Sequence, residues 1–297
     1  VKQRFEQLKT KLEKLKKEVL AKFNEYVVGI ALMPPVDVER EKKIAKDLDG
    51  RELSKEDVEK LKDSINVIVI VDDSDSKKMS KEELASKLSS IVSKTASEID
   101  KNMKVQSMLL SELRELCFDG KYEAMQQIAI SAPIYDPKDL IAALRIAEVH
   151  KNMTLKKFEK YIVSYVAAGS LFRGEKSNDI DVFVVVDDTD VKRMPRFELK
   201  DKLGGIIRSM GYEASMITGV KKQFHVQVYI LTDFWESLKD AHPVIFTLLR
   251  DGVPLYDRSV FTPWKLLLQM GRIRPSPEAI DMQMGVGTRL LERVNGK

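Results

Sequence analysis

The sequence predicts an α/β (α+β) fold made of two domains of the same design, each a small mixed β-sheet with packed helices. Two observations lead to this prediction. Short apolar runs typical of buried strands, such as residues 65–71 and 182–186, alternate with longer charged segments whose apolar residues recur at helical spacing. In addition, the second half of the chain repeats the apolar framework of the first, which indicates a tandem pair of one unit.

The repeat is clearest around the two strongest strands. Residues 65–75 (INVIVIVDDSD) align without a gap with residues 180–190 (IDVFVVVDDTD). Two downstream segments align at one common offset: residues 105–106 with 226–227, and 133–136 (PIYD) with 254–257 (PLYD). We therefore predict a first domain over residues 1–150 and a second domain over residues 151–297.

The predicted elements of the first domain follow from its periodicity. They are a helix over residues 1–24, a strand over 26–32, a helix within 36–64, a strand over 65–71 and a helix over 80–95. An apolar stripe among lysines and glutamates predicts the first helix. Ser54 is a suitable N-cap for the second helix.

The second domain is predicted in the same way. Its predicted strands cover residues 161–168, 180–186 and 224–231. Its predicted helices cover residues 197–210, a segment that begins at residue 234, residues 243–249 and, as the last helix, residues 264–270. We expect Gly204-Gly205 to interrupt the first of these helices, because glycine is a poor helix former. Residues 250–252 predict a C-cap turn, and Pro275 and Pro277 exclude a long helix in the arginine-containing tail.

One polar stretch, residues 169–181 (GSLFRGEKSNDID), joins two predicted strands of the second domain. Residues two apart in a strand point to the same face, so Asp179 and Asp181 project together. Two carboxylates this close repel each other unless a cation lies between them, and Mg2+ favours oxygen ligands. Gly169 lets a ligand approach the backbone closely, and Ser170 with the amides of the turn can hold phosphate oxygens.

This stretch resembles the signature of the DNA polymerase β-like nucleotidyltransferase superfamily: a Gly-Ser turn, an Arg-Gly pair, then Ser-Asp-apolar-Asp. Arg173-Gly174 and residues 177–181 (SNDID) match it, with one residue inserted before the first aspartate. The resemblance implies that Gly169 and Ser170 hold the triphosphate of a nucleoside triphosphate and that Asp179 and Asp181 bind Mg2+ (or Mn2+). It also implies a third carboxylate on a later strand. Arg173 would neutralise charge on the pyrophosphate leaving group.

The position that the family gives to the third carboxylate holds Gln227, a neutral ligand and a poor general base. His225 shares the strand face of Gln227 and is one candidate replacement, although a packed or surface histidine is the structural alternative. Asp233 and Glu236 follow the strand and are further candidates. For Asp233, a helix cap is the structural alternative.

The first copy lacks these groups. In the alignment, Pro34-Pro35 occupies the place of the Gly-Ser turn and cannot supply amide donors. Ser64 and Asn66 occupy the places of Asp179 and Asp181. We therefore predict a degenerate, non-catalytic first domain that packs against the second or presents substrate to it.

Three more aspartates, Asp187, Asp188 and Asp190, follow the second strand of the repeat and invite a metal-site interpretation. Their counterparts in the first copy are also aspartates: Asp72, Asp73 and Asp75. Because they persist where the other acidic residues are missing, we predict a structural role as a strand end, a turn and an N-cap for the next helix.

Composition narrows the classes of function. The chain has 297 residues, is 43% hydrophobic and carries a net charge of +4, a mildly basic balance that is compatible with nucleotide or RNA contact. Its single cysteine, Cys117, excludes an intramolecular disulfide and predicts a small buried residue on a helix. No apolar run approaches the roughly 18–20 residues of a membrane span, and no secretory signal opens the chain. We expect a cytoplasmic protein without a membrane partner.

The sequence therefore predicts a Mg2+-dependent nucleotidyltransferase that moves a nucleotidyl group from a nucleoside triphosphate to an acceptor. The acceptor is an RNA end, a protein hydroxyl or a small molecule, and two domains with a basic balance slightly favour RNA. The alternative is a catalytically inactive protein of the same fold that binds nucleotide or RNA, which Gln227 and the degenerate first copy favour. Hydrolysis at the same metal site is a third option.

Overall fold

The structure, a computed structural model, describes residues 2–49, 54–74, 80–168, 179–191, 194–240, 242–275 and 277–295. The described helices are α1 (Lys2–Phe23), α2 (Val38–Asp49), α3 (Lys55–Lys62), α4 (Lys81–Ile99), α5 (Leu110–Phe118), α6 (Glu123–Ile130), α7 (Leu140–Phe158), α8 (Arg196–Thr218), α9 (Leu231–Lys239), α10 (Pro243–Asp251), α11 (Phe261–Gln269) and α12 (Pro277–Asn295). The described strands are β1 (Val27–Leu32), β2 (Ile65–Val71), β3 (Met103–Leu109), β4 (Ala132–Tyr135), β5 (Ile162–Ala168), β6 (Asp179–Val186), β7 (Gln223–Ile230) and β8 (Val253–Asp257). The described residues divide into two compact units, and the division falls within α7, between Arg145 and Ile146.

The first unit contains a four-stranded mixed sheet in the order β3-β2-β1-β4. Strand β1 is antiparallel to β2 and β4, whereas β2 and β3 are parallel. A parallel pair needs a crossover connection, and α4 provides it. Leu88 and Val92 of α4 pack with Leu15 of α1 over the inward side chains of β2, which forms the core of this unit.

The second unit repeats this sheet as β7-β6-β5-β8, with the same parallel and antiparallel pairs. The register repeats too: Asn66 pairs with Lys104, and its counterpart Asp181 pairs with His225. A strand irregularity also recurs after the first residue of both β1 and β5. The predicted fold class, two small α/β (α+β) domains with mixed sheets and packed helices, is confirmed.

The two faces of the second sheet are covered differently. On one face, α8 packs so closely that a Cβ on Gly211 would lie 3.1 Å from Val226 of β7. On the other face, α9, α10 and α11 cover Phe183 and Val185 near the carboxyl end of β6. The amino-terminal part of that face carries polar side chains that are partly or fully exposed: Asp179, Asp181, His225 and Gln227. Among the described residues, this end of the sheet thus presents polar side chains that a ligand can contact.

Two helix predictions are wrong. Helix α8 continues without a break through Gly204-Gly205, because burial of its Gly204, Ile207 and Gly211 face against the sheet outweighs the weak helix propensity of glycine. The predicted last helix, here α11, is followed by α12. Pro277 is the first residue of α12, a position where proline loses no hydrogen bond, so it starts this helix instead of excluding it.

One expectation from composition is confirmed. Cys117 is buried on α5, as predicted. None of the described helices combines the length and the apolar character that a membrane crossing requires.

Candidate functional site

Asp179 and Asp181 begin β6 and lie on the face of the sheet opposite α8. They share this face because of the two-residue period of the strand, as the sequence predicts. Strand β5 ends at Ala168, whose Cα partner across the sheet is Asp181. The predicted phosphate-binding residues Gly169, Ser170 and Arg173 lie outside the described residues.

His225 of β7 is the cross-strand neighbour of Asp181. The two residues are Cα partners in the parallel pair, and His225 Nδ1 lies 3.5 Å from Asp181 Oδ1. Both side chains are partly exposed, Asp181 by 33% and His225 by 49%. Burial raises the pKa of Asp181, the imidazole of His225 opposes this rise, and the carboxylate of Asp179 adds to it. A divalent cation between the two aspartates would relieve their repulsion.

Gln227 lies two residues after His225 on the same face of β7, and its Cα partner on β6 is Phe183 instead of Asp181. Its side chain is exposed, and the hydroxyl of Tyr229 donates to its Oε1 at 3.2 Å. Because of this register, the residue of β7 that lies directly beside Asp181 is His225 and not Gln227. The sequence placed His225 on the correct face, but its pairing with Asp181 depends on the alignment of two strands.

Asp233 and Glu236 do not reach the site. They lie in α9, after the carboxyl end of β7, whereas His225 lies five residues before that end, a separation of about 16 Å along the strand. Asp233 Oδ2 instead accepts a hydrogen bond from Lys200 Nζ at 2.9 Å. The cap interpretation of Asp233 is also wrong, because α9 has Ile230 at its N-cap position.

The first turn of α9 is bound by Asp188. Its Oδ1 accepts the amide of Thr232 at 3.0 Å, and its Oδ2 accepts the hydroxyl of the same residue. In the first unit, Asp73 binds the amide and hydroxyl of Ser111 at the start of α5, at 3.1 and 2.5 Å. The predicted structural role is confirmed for this pair, but the capped helix follows the neighbouring strand and is not the next helix in the chain.

The aspartates one position earlier form matching turns. Asp187 Oδ1 accepts the amide of Thr189 at 2.9 Å, and Asp72 Oδ1 accepts the amide of Ser74 at 3.1 Å. These are side-chain turns of the Asx type, which end a strand without a ligand. Asp75 lies outside the described residues.

The first unit has a neutral pair where the second has its two aspartates. Asn66 Nδ2 donates to Ser64 Oγ at 3.0 Å, and Ser64 Oγ donates to the carbonyl of Leu61 at 2.7 Å. Lys104 occupies the register position of His225. Neither Ser64 nor Asn66 offers a carboxylate to a cation, and the charge of Lys104 would oppose one.

Among the described residues, no group of three or more histidine, cysteine, aspartate and glutamate side chains is arranged to hold a metal ion. Asp179 and Asp181 nevertheless fit Mg2+ chemically, because Mg2+ is usually held by one or two carboxylates while water and substrate phosphates complete its coordination.

The candidate site is thus an acidic pair beside a histidine, at the amino end of two parallel strands of the second unit. The first unit has the strands but not these side chains. Compared with models of protein families, the chain matches none, and a comparison with curated proteins also gives no match.

Proposed function

We propose that the chain is a Mg2+-dependent nucleotidyltransferase whose reaction centre lies at the start of β6, with a non-catalytic first unit. The proposal is based mainly on one observation. In two sheets of the same strand order and register, the second unit has the carboxylates Asp179 and Asp181 where the first has the hydrogen-bonded Ser64 and Asn66. The shared fold therefore does not require the acidic pair, and its repulsion favours a role in binding a cation.

In this proposal, Asp179 and Asp181 hold the ion through their oxygens. Bound Mg2+ would polarise the α-phosphate of a nucleoside triphosphate and stabilise the charge that develops there. His225, whose Nδ1 lies 3.5 Å from Asp181 Oδ1, orients that carboxylate. From the family resemblance, we assign the β- and γ-phosphates to Gly169 and Ser170 and the pyrophosphate charge to Arg173.

The proposed reaction joins an acceptor oxygen to the α-phosphorus and breaks the bond from that phosphorus to pyrophosphate. The proton of the acceptor hydroxyl passes to solvent. An RNA end remains the favoured acceptor, because the net charge of +4 attracts a polyanion, and a protein hydroxyl or small molecule is the alternative. The cytoplasm is the proposed compartment, and the single Cys117 is compatible with it.

A catalytically inactive protein that binds nucleotide or RNA is the second candidate function. It is favoured by the neutral, exposed Gln227 on the strand where the family has its third carboxylate. In that case Asp179 and Asp181 would bind the nucleotide through a cation without transfer.

The test is to incubate the full chain with each labelled nucleoside triphosphate and Mg2+ or Mn2+, with and without total RNA. Pyrophosphate release and labelled product are measured together. We expect release by the native chain and a loss of roughly a thousandfold in Asp181→Asn, because metal stabilisation of the transition state is worth several kcal/mol. Asn66→Ala, at the equivalent position of the first unit, is the matched control and should keep full activity.

Each other outcome has a defined meaning. Release that persists in Asp181→Asn would refute the site. Metal-dependent binding of a nucleotide without release would establish the inactive binding protein. A large loss of activity in Asn66→Ala would refute the non-catalytic role of the first unit.

A further inference from the structure

Both tryptophans of the chain line one cleft in the second unit. Trp235 of α9 and Trp264 of α11 have ring centroids 5.1 Å apart, with their planes inclined by 39°. Trp235 is 53% exposed. The cleft has a volume of about 400 Å3, which is in the range of small-molecule sites. A large aromatic ring exposed on the wall of such a cleft offers a surface on which a ligand can stack.

The cleft is separate from the acidic pair. It lies beyond the carboxyl ends of the parallel strands β6 and β7, where Thr189 and Leu231 line it. Asp181 is near the opposite end of β6, about 16 Å before its last residue. Crevices at the carboxyl ends of parallel strands are common ligand positions in α/β sheets.

The walls and the rim of the cleft differ in chemistry. The walls are mainly apolar and aromatic, with Val260 and Pro263 beside the two tryptophans. The rim carries the carboxylate of Glu236, whose side chain is 68% exposed. Arg196 Nη1 lies 3.7 Å from Glu236 Oε1, and its Nε lies 3.9 Å from Asp188 Oδ2. The chain thus already places a guanidinium group near this rim, in a long and exposed ion pair that contributes little to stability.

In the first unit, other residues occupy the positions of the two tryptophans. Arg145 of the first unit and Lys265 of the second unit have the same role, because the side chain of each donates hydrogen bonds to backbone carbonyls at the end of the preceding helix. This equivalence aligns Trp264 with Leu144, which is fully buried. Trp235 aligns with Arg114. The paired tryptophans are therefore specific to the second unit and are not required by the shared fold.

We propose that this cleft binds a small ligand that carries an alkylguanidinium group. A guanidinium plane stacks on tryptophan and is attracted by the electrons of its ring, and the carboxylate of Glu236 pairs with the charge. The alkyl part lies against Val260 and Pro263. The proposal does not depend on the transferase function, because it uses no residue of the acidic pair.

The experiment compares n-butylguanidinium with n-butylurea, a neutral planar molecule of nearly the same shape. Because both tryptophans line the cleft, their fluorescence reports its occupancy directly. We expect a saturable change with n-butylguanidinium at a concentration about tenfold lower than any change with the urea, in line with a cation–π contact of about 1–2 kcal/mol.

Variants make this test specific. Glu236→Gln should weaken binding of the guanidinium several-fold, and Arg196→Ala should strengthen it by removing the competing internal guanidinium. Asp240→Asn removes a carboxylate from the exposed far end of α9 and should change nothing. Circular dichroism of each variant checks that the fold is intact.

Three results would overturn the proposal. The first is a fluorescence change that n-butylguanidinium and n-butylurea produce at the same concentration, which would indicate an apolar cleft without preference for charge. The second is binding unchanged in Glu236→Gln. The third is the lack of a saturable fluorescence change with n-butylguanidinium in both the native chain and Arg196→Ala.

Discussion

Asn66 of the first unit and Asp181 of the second occupy the same register position of the same kind of sheet, yet their surroundings differ. Asn66 is hydrogen-bonded to Ser64, whereas Asp181 lies beside the imidazole of His225 and near a second carboxylate. The helix caps Asp73 and Asp188 are kept in both units. Positions that both units keep thus serve the fold, and positions that differ are candidates for function.

A second comparison concerns one pair of charges on the first helix of each unit. Lys16 and Glu13 of α1 form a partly exposed ion pair at 2.8 Å, with 28% and 54% of these side chains exposed. The aligned Lys151 and Glu148 of α7 form the same pair at 2.6 Å, but only 3% and 4% of these side chains are exposed. Lys151 also donates to the carbonyl of Leu255 at 3.2 Å. The same local pattern is therefore a surface pair in one unit and a buried one in the other.

The largest expected effect comes from exchanging the acidic pair. Giving the second unit the pair of the first, with Asp179→Ser and Asp181→Asn together, should reduce any nucleotidyl transfer by roughly a thousandfold. It should also remove the increase in melting temperature that Mg2+ gives the native chain, because ligands stabilise the state that binds them. Thermal melts with and without Mg2+ measure this without an activity assay. An equal Mg2+-dependent increase in the exchanged chain would contradict the assignment.

The next effect is on stability. Lys151→Met should lower the free energy of unfolding by about 3–5 kcal/mol, because it leaves the carboxylate of Glu148 buried without its charge partner. Lys16→Met is the matched change in the first unit and should alter stability by roughly 0.2–0.5 kcal/mol. Urea unfolding of both variants provides the comparison. Similar losses in the two variants would show that burial does not distinguish the pairs.

The shared caps should behave alike. Asp188→Ala and Asp73→Ala should each destabilise by about 1–2 kcal/mol, because each removes the acceptor of a helix amide and a hydroxyl. Activity per folded molecule should stay the same in both variants. If Asp188→Ala abolished activity and left stability unchanged, Asp188 would belong to the reaction centre after all.

The smallest effect is a dependence of stability on pH. His150 is fully buried, its Nε2 donates to the carbonyl of Ile207 at 2.9 Å, and its Nδ1 accepts from the Tyr165 hydroxyl at 2.8 Å. Burial lowers the pKa of His150 below 6.5. As the pH falls, the unfolded chain therefore protonates this histidine before the folded chain does. The contribution of neutral His150 to the free energy of unfolding is thus complete above about pH 6.5 and is lost as the pH falls toward the pKa of the folded state.

Unfolding by urea at a series of pH values checks this prediction. His150→Gln keeps a donor and an acceptor and should flatten the pH dependence below about pH 6.5. His242→Gln changes an exposed histidine and should leave the dependence as in the native chain. A native profile that is flat below about pH 6.5 would contradict the role of His150.

The sequence by itself determined the features that depend on local spacing. The alternation of residues in β6 places Asp179 and Asp181 on one face, whatever the strand pairs with. Ser54 caps α3 through the amide of Asp57, as its position before the helix predicts. Alignment of the two halves identified the repeat because both copies keep the same buried strands, and burial constrains the apolar residues of a strand.

Only the tertiary structure decided the features that depend on contacts between distant segments. His225 is the cross-strand neighbour of Asp181 because β6 and β7 are parallel in one particular register, which no short-range pattern specifies. Gly204-Gly205 stays helical because α8 packs on the sheet, and Asp188 caps α9 because that helix begins beside the end of β6. Periodicity and propensity act over a few residues, whereas register and burial are set by what each segment meets in the fold.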